Sequence, residues 1–264
     1  MPHTPANGID LYYERCGVGP RLLFLNGSGS SIATSEILIK LFTNDFEVVV
    51  HDQRGLGESE IPSGPYMMAD YAADAAALLD HVGWERTRVV GVSFGGMVAQ
   101  ELAVTWPERV ERMALLCTSP GGAGGASYPL HELAPLPEKE RARKSLELLD
   151  SRFTAAWLDA HPSDRALADM MAARRRGTKT RDQVRGEALQ LEARSRHDVC
   201  DRLDRVTGPT LVACGRYDAI APPSNGEAIA ARIPDADLRV YEGGHAFFAQ
   251  DPAALPEVIG FLAG

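Results

Sequence analysis

The chain has no run of apolar residues long enough to cross a bilayer, which takes about 20 in a helix, so no membrane-spanning segment is expected in its 264 residues. Its first residues, Met1-Pro-His-Thr-Pro5, lack the basic start and apolar stretch of a secretory signal. A cytoplasmic location with no membrane partner is the expectation. Cysteine is scarce: the four, Cys16, Cys117, Cys200 and Cys214, show no metal-type spacing. Cys117 and Cys214 sit in strand-like apolar runs, and reduced core thiols with no metal site are expected. Positive charge is also in deficit. The 27 Lys/Arg against 36 Asp/Glu leave a net charge of −9, which argues against nucleic acid as a general partner because phosphate binding needs basic density. What remains, 45% hydrophobic and 24% charged, is an ordinary globular composition in which disorder is not expected.

The stretch around which the chain is organised is Thr87 to Ala103. Val89 and Val90 lead as a strand into Gly91-Val-Ser-Phe-Gly95, and Met97 to Ala103 reads as a helix. A serine at such a turn is forced into a strained backbone, and Gly91 and Gly95 let the neighbouring chain pass where no side chain fits. The Ser93 hydroxyl is thereby held out at the sheet edge as a candidate nucleophile. It also precedes the first turn of a helix, whose free N–H groups favour negative charge on a substrate oxygen. A G-x-S-x-G string alone is a weak signal. The strand before it and the helix after it strengthen it.

The rest of the chain alternates. Asn7-Gly8 is turn chemistry before a half-buried strand, Ile9 to Arg15, and Arg21 to Leu25 is a more continuously apolar strand running into Asn26-Gly-Ser-Gly-Ser-Ser31. There the backbone N–H of Ser28, freed by Gly27 and Gly29, is a candidate oxyanion donor beside the N–H of Phe94. Phe46 to Val50 is a third strand, followed by Asp52-Gln-Arg-Gly-Leu-Gly-Glu-Ser59, where Asp52 and Arg54 are expected to brace the loop as a buried charge pair. Tyr66 to Val82 has helical spacing stopped by Gly83. Trp106-Pro107 ends the helix after Ser93, and Val110 to Cys117 is the next strand.

Then the rhythm breaks. Pro120-Gly-Gly-Ala-Gly-Gly-Ala-Ser127 reads as a flexible hinge, and Pro137 to Leu203 shows only helical patterns. The tract Arg174 to Arg181 inside it reads as a solvated helix end and loop. The alternation resumes with the strand Thr210 to Cys214, a helix from Asn225 to Arg232, a strand from Asp237 to Tyr241 and a final helix from Pro252 to Leu262. Strand, helix, strand is the pattern of an α/β fold: a mostly parallel central sheet with helices on both faces. Residues 1–120 and 206–264 are expected to form this core, and residues 121–205 an inserted helical cap.

Asp218 and His245 both fall just past the C-terminal ends of strands, the edge at which sites assemble in open α/β sheets. Serine chemistry needs a base to take the hydroxyl proton and an acid to orient that base. Ser93, Asp218 and His245 supply all three, in the chain order associated with this strand–turn–helix motif. The other histidines considered, His51, His131, His161 and His197, read as surface or lining residues. Phe153 and Trp157 in the helical insertion are candidate pocket-lining residues.

With these residues in place, the chain resembles the α/β-hydrolases over essentially its whole length. The resemblance is carried by Asn26-Gly27-Ser28-Gly29, Asp52 to Ser59, Gly91-Val-Ser-Phe-Gly95, Gly215-Arg-Tyr-Asp218 with Pro222, and Gly243-Gly-His245. Within that superfamily it is most similar to the subgroup of 3-oxoadipate enol-lactonases, small esterases and cofactor-free haloperoxidase-type perhydrolases. Where the family usually has His-Gly before the oxyanion residue, this chain has Asn26-Gly27, which leaves the backbone donor intact; Asn26 is a candidate substrate contact. The resemblance implies a serine esterase or lactonase working by acyl transfer on a small molecule, with no metal or organic cofactor, as a monomer or homodimer. Two alternatives stay open: a carbon–carbon bond hydrolase with the same three residues, and a hydrolase-like ligand-binding receptor with little turnover.

Charge is unevenly spread. From Glu138 to Arg205 there are 16 Lys/Arg and 13 Asp/Glu, a balance of +3, leaving 11 against 23 and −12 elsewhere. Either these arginines present an anionic substrate with a positive field, or they pair with the segment's own acids.

Overall fold

The computed structural model describes residues 3–174 and 178–264. The chain opens with a hairpin of β1 (His3–Ala6) and β2 (Ile9–Cys16), whose two-residue turn places both Asn7 (φ 48°) and Gly8 (φ 78°) in the left-handed region. That is what a tight hairpin turn requires, and Asn-Gly is the pair that best tolerates it. The sequence did not reveal β1, because Pro5 interrupts a run of four residues. As an edge strand pairing only with β2, β1 can accommodate a residue with no N–H to donate.

There follow β3 (Arg21–Leu25), α1 (Ile32–Phe42), β4 (Glu47–His51), α2 (Met68–His81), β5 (Thr87–Val92), α3 (Phe94–Thr105) and β6 (Val110–Leu116). After the helices α4 (Glu138–Leu149), α5 (Ala155–Ala160), α6 (Pro162–Arg174) and α7 (Arg181–Ser195), the chain closes with β7 (Thr210–Gly215), α8 (Pro223–Ala230), β8 (Asp237–Tyr241) and α9 (Ala254–Ala263). The eight strands form one sheet in the order β1-β2-β4-β3-β5-β6-β7-β8. β2 is antiparallel to both its neighbours, and the pairings beyond it are parallel.

The apolar runs are continuous because the sheet is covered on both faces. Successive residues of one strand serve opposite sides. Leu22 and Phe24 pack with Val48, Val50 and the apolar residues of α1 and α9. Leu23 and Leu25 pack with Val49, Val89 and the inward residues of α2 and α3. Among the described residues no helix is long and apolar enough to cross a membrane. The four cysteines are free, three of them buried and Cys16 partly so.

The glycines after β6 are not the loose hinge that their composition suggests. Gly121 forms an isolated antiparallel bridge with Asp198, and a Cβ on it would sit 1.9 Å from the His197 carbonyl oxygen. The Val199 N–H donates to the Pro120 carbonyl at 2.9 Å. A Cβ on Gly124 would meet the Pro120 ring at 2.5 Å and the Cys200 Sγ at 2.9 Å. These glycines permit close approach rather than freedom. The two ends of the helical segment are tied together here, and no strand occurs among the described residues of α4 to α7.

Part of the Arg174–Arg181 tract, residues 175–177, lies outside the described residues. Beyond it, Thr180 caps α7 in a capping box with Gln183, and Lys179 pairs with Glu187. Most of the segment's basic side chains that form ion pairs do so within the segment, as in Arg143–Glu147, Arg165–Asp159, Arg185–Asp182 and Arg196–Glu192. Arg202 reaches across to Glu101 on α3.

Candidate functional site

The turn between β5 and α3 holds Ser93 at φ 55° and ψ −113°, a region costly for any residue with a side chain. Its neighbours fix it there. The Ser93 N–H donates to the Leu116 carbonyl at 2.8 Å, and the Ser93 carbonyl accepts the Thr118 hydroxyl at 2.8 Å. Both flanking glycines are required. A Cβ on Gly91 would sit 2.4 Å from the Gly95 carbonyl oxygen, and one on Gly95 only 2.0 Å from that of Leu25.

The loops after β7 and β8 bring the other two residues to Ser93. They cross so closely that a Cβ on Gly215 would lie 2.0 Å from the Gly244 carbonyl oxygen. Asp218, 4% exposed, accepts the N–H groups of Ile220 at 2.8 Å and Ala221 at 2.9 Å on Oδ1. Its Oδ2 lies 2.7 Å from His245 Nδ1. His245 Nε2 is in turn 2.9 Å from Ser93 Oγ. With Oδ1 filled by backbone donors, Oδ2 accepts from a protonated Nδ1, and Nε2 is left to accept the Ser93 hydroxyl proton. The three residues singled out from the sequence therefore form one continuous hydrogen-bonded line.

The loop after β3 lies directly against the serine: a Cβ on Gly27 would be 3.7 Å from Ser93 Cβ. Within this loop the Ser30 N–H goes to the Gly27 carbonyl and the Gly29 N–H to Gln190 Oε1 at 2.8 Å. Among the described residues, the Ser28 N–H has no hydrogen-bond partner, and Phe94, the first residue of α3, has no intrahelical one. Asn26 is buried. Its carbonyl accepts Gln53 Nε2 at 2.7 Å, while its own Nδ2 has no partner.

Other expectations are corrected. Asp52 and Arg54 do brace this region, but not through each other. Asp52 accepts the backbone N–H groups of Ile32 at 2.6 Å and Glu58 at 2.9 Å, and Arg54 forms a two-pronged pair with Asp74 at 2.6 and 2.7 Å. Asp74 sits on α2, too far along the chain for loop-local reasoning to find. His51 is neither surface nor lining: it is 1% exposed, and burial pushes its imidazole down to about 4. His161 stacks on Trp157, whose Nε1 donates to Asp164. Phe153 packs with Leu149, Leu158 and Ala246, and lines a cavity of about 470 Å³ with Leu146 and Arg165. Trp157 lines neither that cavity nor a second one of about 210 Å³, which is bordered by Met97, Ser119, His131, Arg194 and His197.

Sequence reasoning missed Thr118, Gln190 and Arg194. The last two carry a readable signal after the fact: Gly186, Gln190 and Arg194 recur every four residues along α7 and are all buried, one polar stripe turned inward on an otherwise solvated helix.

An eight-stranded mostly parallel sheet, with a serine on a strained strand-to-helix turn and a histidine and an aspartate at the same sheet edge, defines the class as an α/β hydrolase. The family model for the alpha/beta hydrolase fold matches residues 20–252. The chain belongs to that family and is a hydrolase of that fold. It is 26% identical over 259 residues to 3-oxoadipate enol-lactonase 2 of Acinetobacter baylyi, covering 96% of this chain and 93% of the relative. It is 29% identical over 266 residues to the putative carbamate hydrolase RutD of Azorhizobium caulinodans, covering 98% and 97%. Among solved structures, a hydrolase from Pseudomonas aeruginosa superposes with a TM-score of 0.79 at 30% identity, covering 99% and 98% of the two chains.

Proposed function

We propose that this protein hydrolyses a carboxylic ester or lactone of a small molecule through an acyl-enzyme on Ser93. The observation that carries the reading is the line from Ser93 Oγ to His245 Nε2 and from His245 Nδ1 to Asp218, at 2.9 and 2.7 Å. Ser93 Oγ attacks the carbonyl carbon as His245 takes its proton, and the imidazolium is stabilised by Asp218. The oxyanion is held by the N–H groups of Ser28 and Phe94 at the start of α3. Collapse breaks the bond to the leaving oxygen, which receives the proton from His245. Water activated by the same imidazole then releases the acid. No step calls for a metal or an organic cofactor.

Residues 121–205 serve as a cap that shapes the pocket, and the protein works in the cytoplasm as a monomer or homodimer, without nucleic acid or membrane partners. The enol-lactonase relative supports lactones as substrates, and the carbamate hydrolase relative adds carbamates to the panel. The test is hydrolysis of 4-nitrophenyl acetate, a set of small lactones and a carbamate, beside Ser93→Ala, with thermal unfolding of both proteins. Ser93→Ala is expected to lose ester and lactone turnover while its unfolding midpoint barely moves, since a small hydroxyl contributes little to packing. A variant that keeps most of its activity would remove Ser93 from the chemistry.

A further inference from the structure

Two described arginines are buried, and they are treated very differently. Arg54 is neutralised by Asp74 through two hydrogen bonds. Arg194, 5% exposed, has no carboxylate on it. Its Nη1 donates to the Tyr128 carbonyl at 2.7 Å, and its Nε and Nη2 have no partner. A buried guanidinium left with free donors is expensive unless something anionic or strongly accepting meets it. The candidate counter-charge on the protein, Asp218, is already engaged by His245 and by the N–H groups of Ile220 and Ala221.

Arg194 borders a cavity of about 210 Å³ together with Met97, Ser119 and His197. Two of its walls descend from Ser93. Met97 lies one turn into α3, and Ser119 follows Thr118, whose hydroxyl binds the Ser93 carbonyl. Ser119 Oγ is likewise without a hydrogen-bond partner, and the buried imidazole of His197 lies against the Ser119 backbone. One turn before Arg194 on α7, Gln190 holds the Gly29 N–H and leaves its own Nε2 unpaired. Polar atoms without partners are rare in native interiors. Arg194 and Ser119 both border the one cavity.

We propose that this cavity is the subsite for a carboxylate carried by the substrate, with Arg194 as its principal ligand and Ser119 as a further donor, so that the protein selects monoanionic esters or lactones over neutral ones. The inference rests on the hydrolase reading for its turnover but not for its binding. Burial lowers Arg194 only to about 10, so the guanidinium stays charged at neutral pH. The His197 imidazole, held down to about 4 by burial, stays neutral beside it and adds no competing charge. The selectivity comes from this single buried cation; Arg143, Arg165, Arg185 and Arg196 of the same segment are paired with its acids.

The test compares 4-nitrophenyl hydrogen glutarate with its neutral partner, 4-nitrophenyl methyl glutarate, in the wild type, Arg194→Met and Arg194→Lys. The wild type is expected to favour the anion in kcat/KM, and Arg194→Met to reduce that anion-to-neutral ratio roughly 10- to 100-fold, the range for a lost hydrogen bond to a charged group. Arg194→Lys should recover part of the ratio. Binding is read separately by calorimetry, titrating monomethyl glutarate and dimethyl glutarate into Ser93→Ala and into Ser93→Ala/Arg194→Met. The monoanion should bind more tightly only when Arg194 is present. A ratio and a binding preference that do not change on removing Arg194 would overturn the subsite. Absence of wild-type turnover on both substrates, with monoanion binding still dependent on Arg194, would instead count against the hydrolase reading and support the subsite. If Arg194→Met fails to fold, Arg194→Lys carries the comparison, and an anion preference identical to wild type in both kinetics and binding rules the proposal out.

Discussion

The backbone N–H of His245 donates to the carbonyl of Leu149 at 2.6 Å, so the last turn of α4 grips the loop that carries the imidazole. The same carbonyl oxygen would be 2.1 Å from a Cβ at Gly244. Gly244→Ala must therefore push the loop away from α4 and His245 away from Ser93. A displacement of about 1 Å can cost two orders of magnitude in rate, so kcat on a neutral ester is expected to fall roughly 100-fold. Steady-state kinetics beside a thermal melt will check this. Wild-type kcat would show that α4 does not position the base.

Asp218→Asn should be far more damaging than its size suggests. Its Oδ1 can still accept from Ile220 and Ala221, so the side chain stays in place. The amide NH₂ then faces His245 Nδ1 and forces the ring proton onto Nε2, where it cannot accept from Ser93. A loss of roughly 10⁴-fold in kcat is expected. A nearly neutral variant would mean that another carboxylate serves the imidazole.

The Arg54–Asp74 pair ties the loop after β4 to α2 in a buried setting. Asp74→Ala leaves the buried guanidinium only the half-exposed Asp70 at 3.9 Å and is expected to cost about 3 kcal/mol in urea unfolding. Arg54→Met combined with Asp74→Ala should recover most of that loss. A double variant as unstable as the single would show that packing, not the stranded charge, sets the cost.

His51 makes stability depend on pH. Its ordinary value of 6.5 is lowered to about 4 by burial, so the native ring stays neutral while the unfolded chain takes up a proton below 6.5. Its contribution is complete above that value and is lost as pH falls toward 4, about 2 kcal/mol of it by pH 5. The drop in unfolding free energy between pH 7.5 and pH 5 should be smaller in His51→Gln by about this amount. An equal drop in both proteins would assign the acid sensitivity to other groups.

Much of the candidate site's geometry was legible because its backbone leaves local marks. Gly91 and Gly95 are dictated by backbone contacts a side chain would block, and Asp218 and His245 follow strands whose apolar runs are easy to read. What was not legible depends on contacts between distant segments. Arg54 finds Asp74 on another element, and Gln190 and Arg194 become meaningful only once α7 is laid over the loop after β3. The glycines at 121 and 124 misled in the opposite direction. Composition makes such residues read as slack, whereas here they admit the backbone at 197 and the Cys200 side chain. β1 was hidden by Pro5, a residue whose cost vanishes at a sheet edge.

The Gly121–Asp198 bridge and the bond from Val199 to Pro120 bring the chain's departure from β6 and its return toward β7 side by side. β6 and β7 are already neighbours in the sheet, and the segment between them also holds on elsewhere, through the Leu149 carbonyl on the His245 N–H, Gln190 on the Gly29 N–H and Arg185 on the Ile61 and Pro62 carbonyls. Exchanging the intervening helices therefore asks nothing new of the sheet's connectivity, because the closure of that long loop is fixed at its base whatever its contents. A segment exchanged at Pro120, Gly121, Asp198 and Val199 would still have to supply again the carbonyl that holds the His245 loop and the side chain that holds the Gly29 N–H. The neck closes the loop at its base, while the contents of the loop hold the imidazole in place.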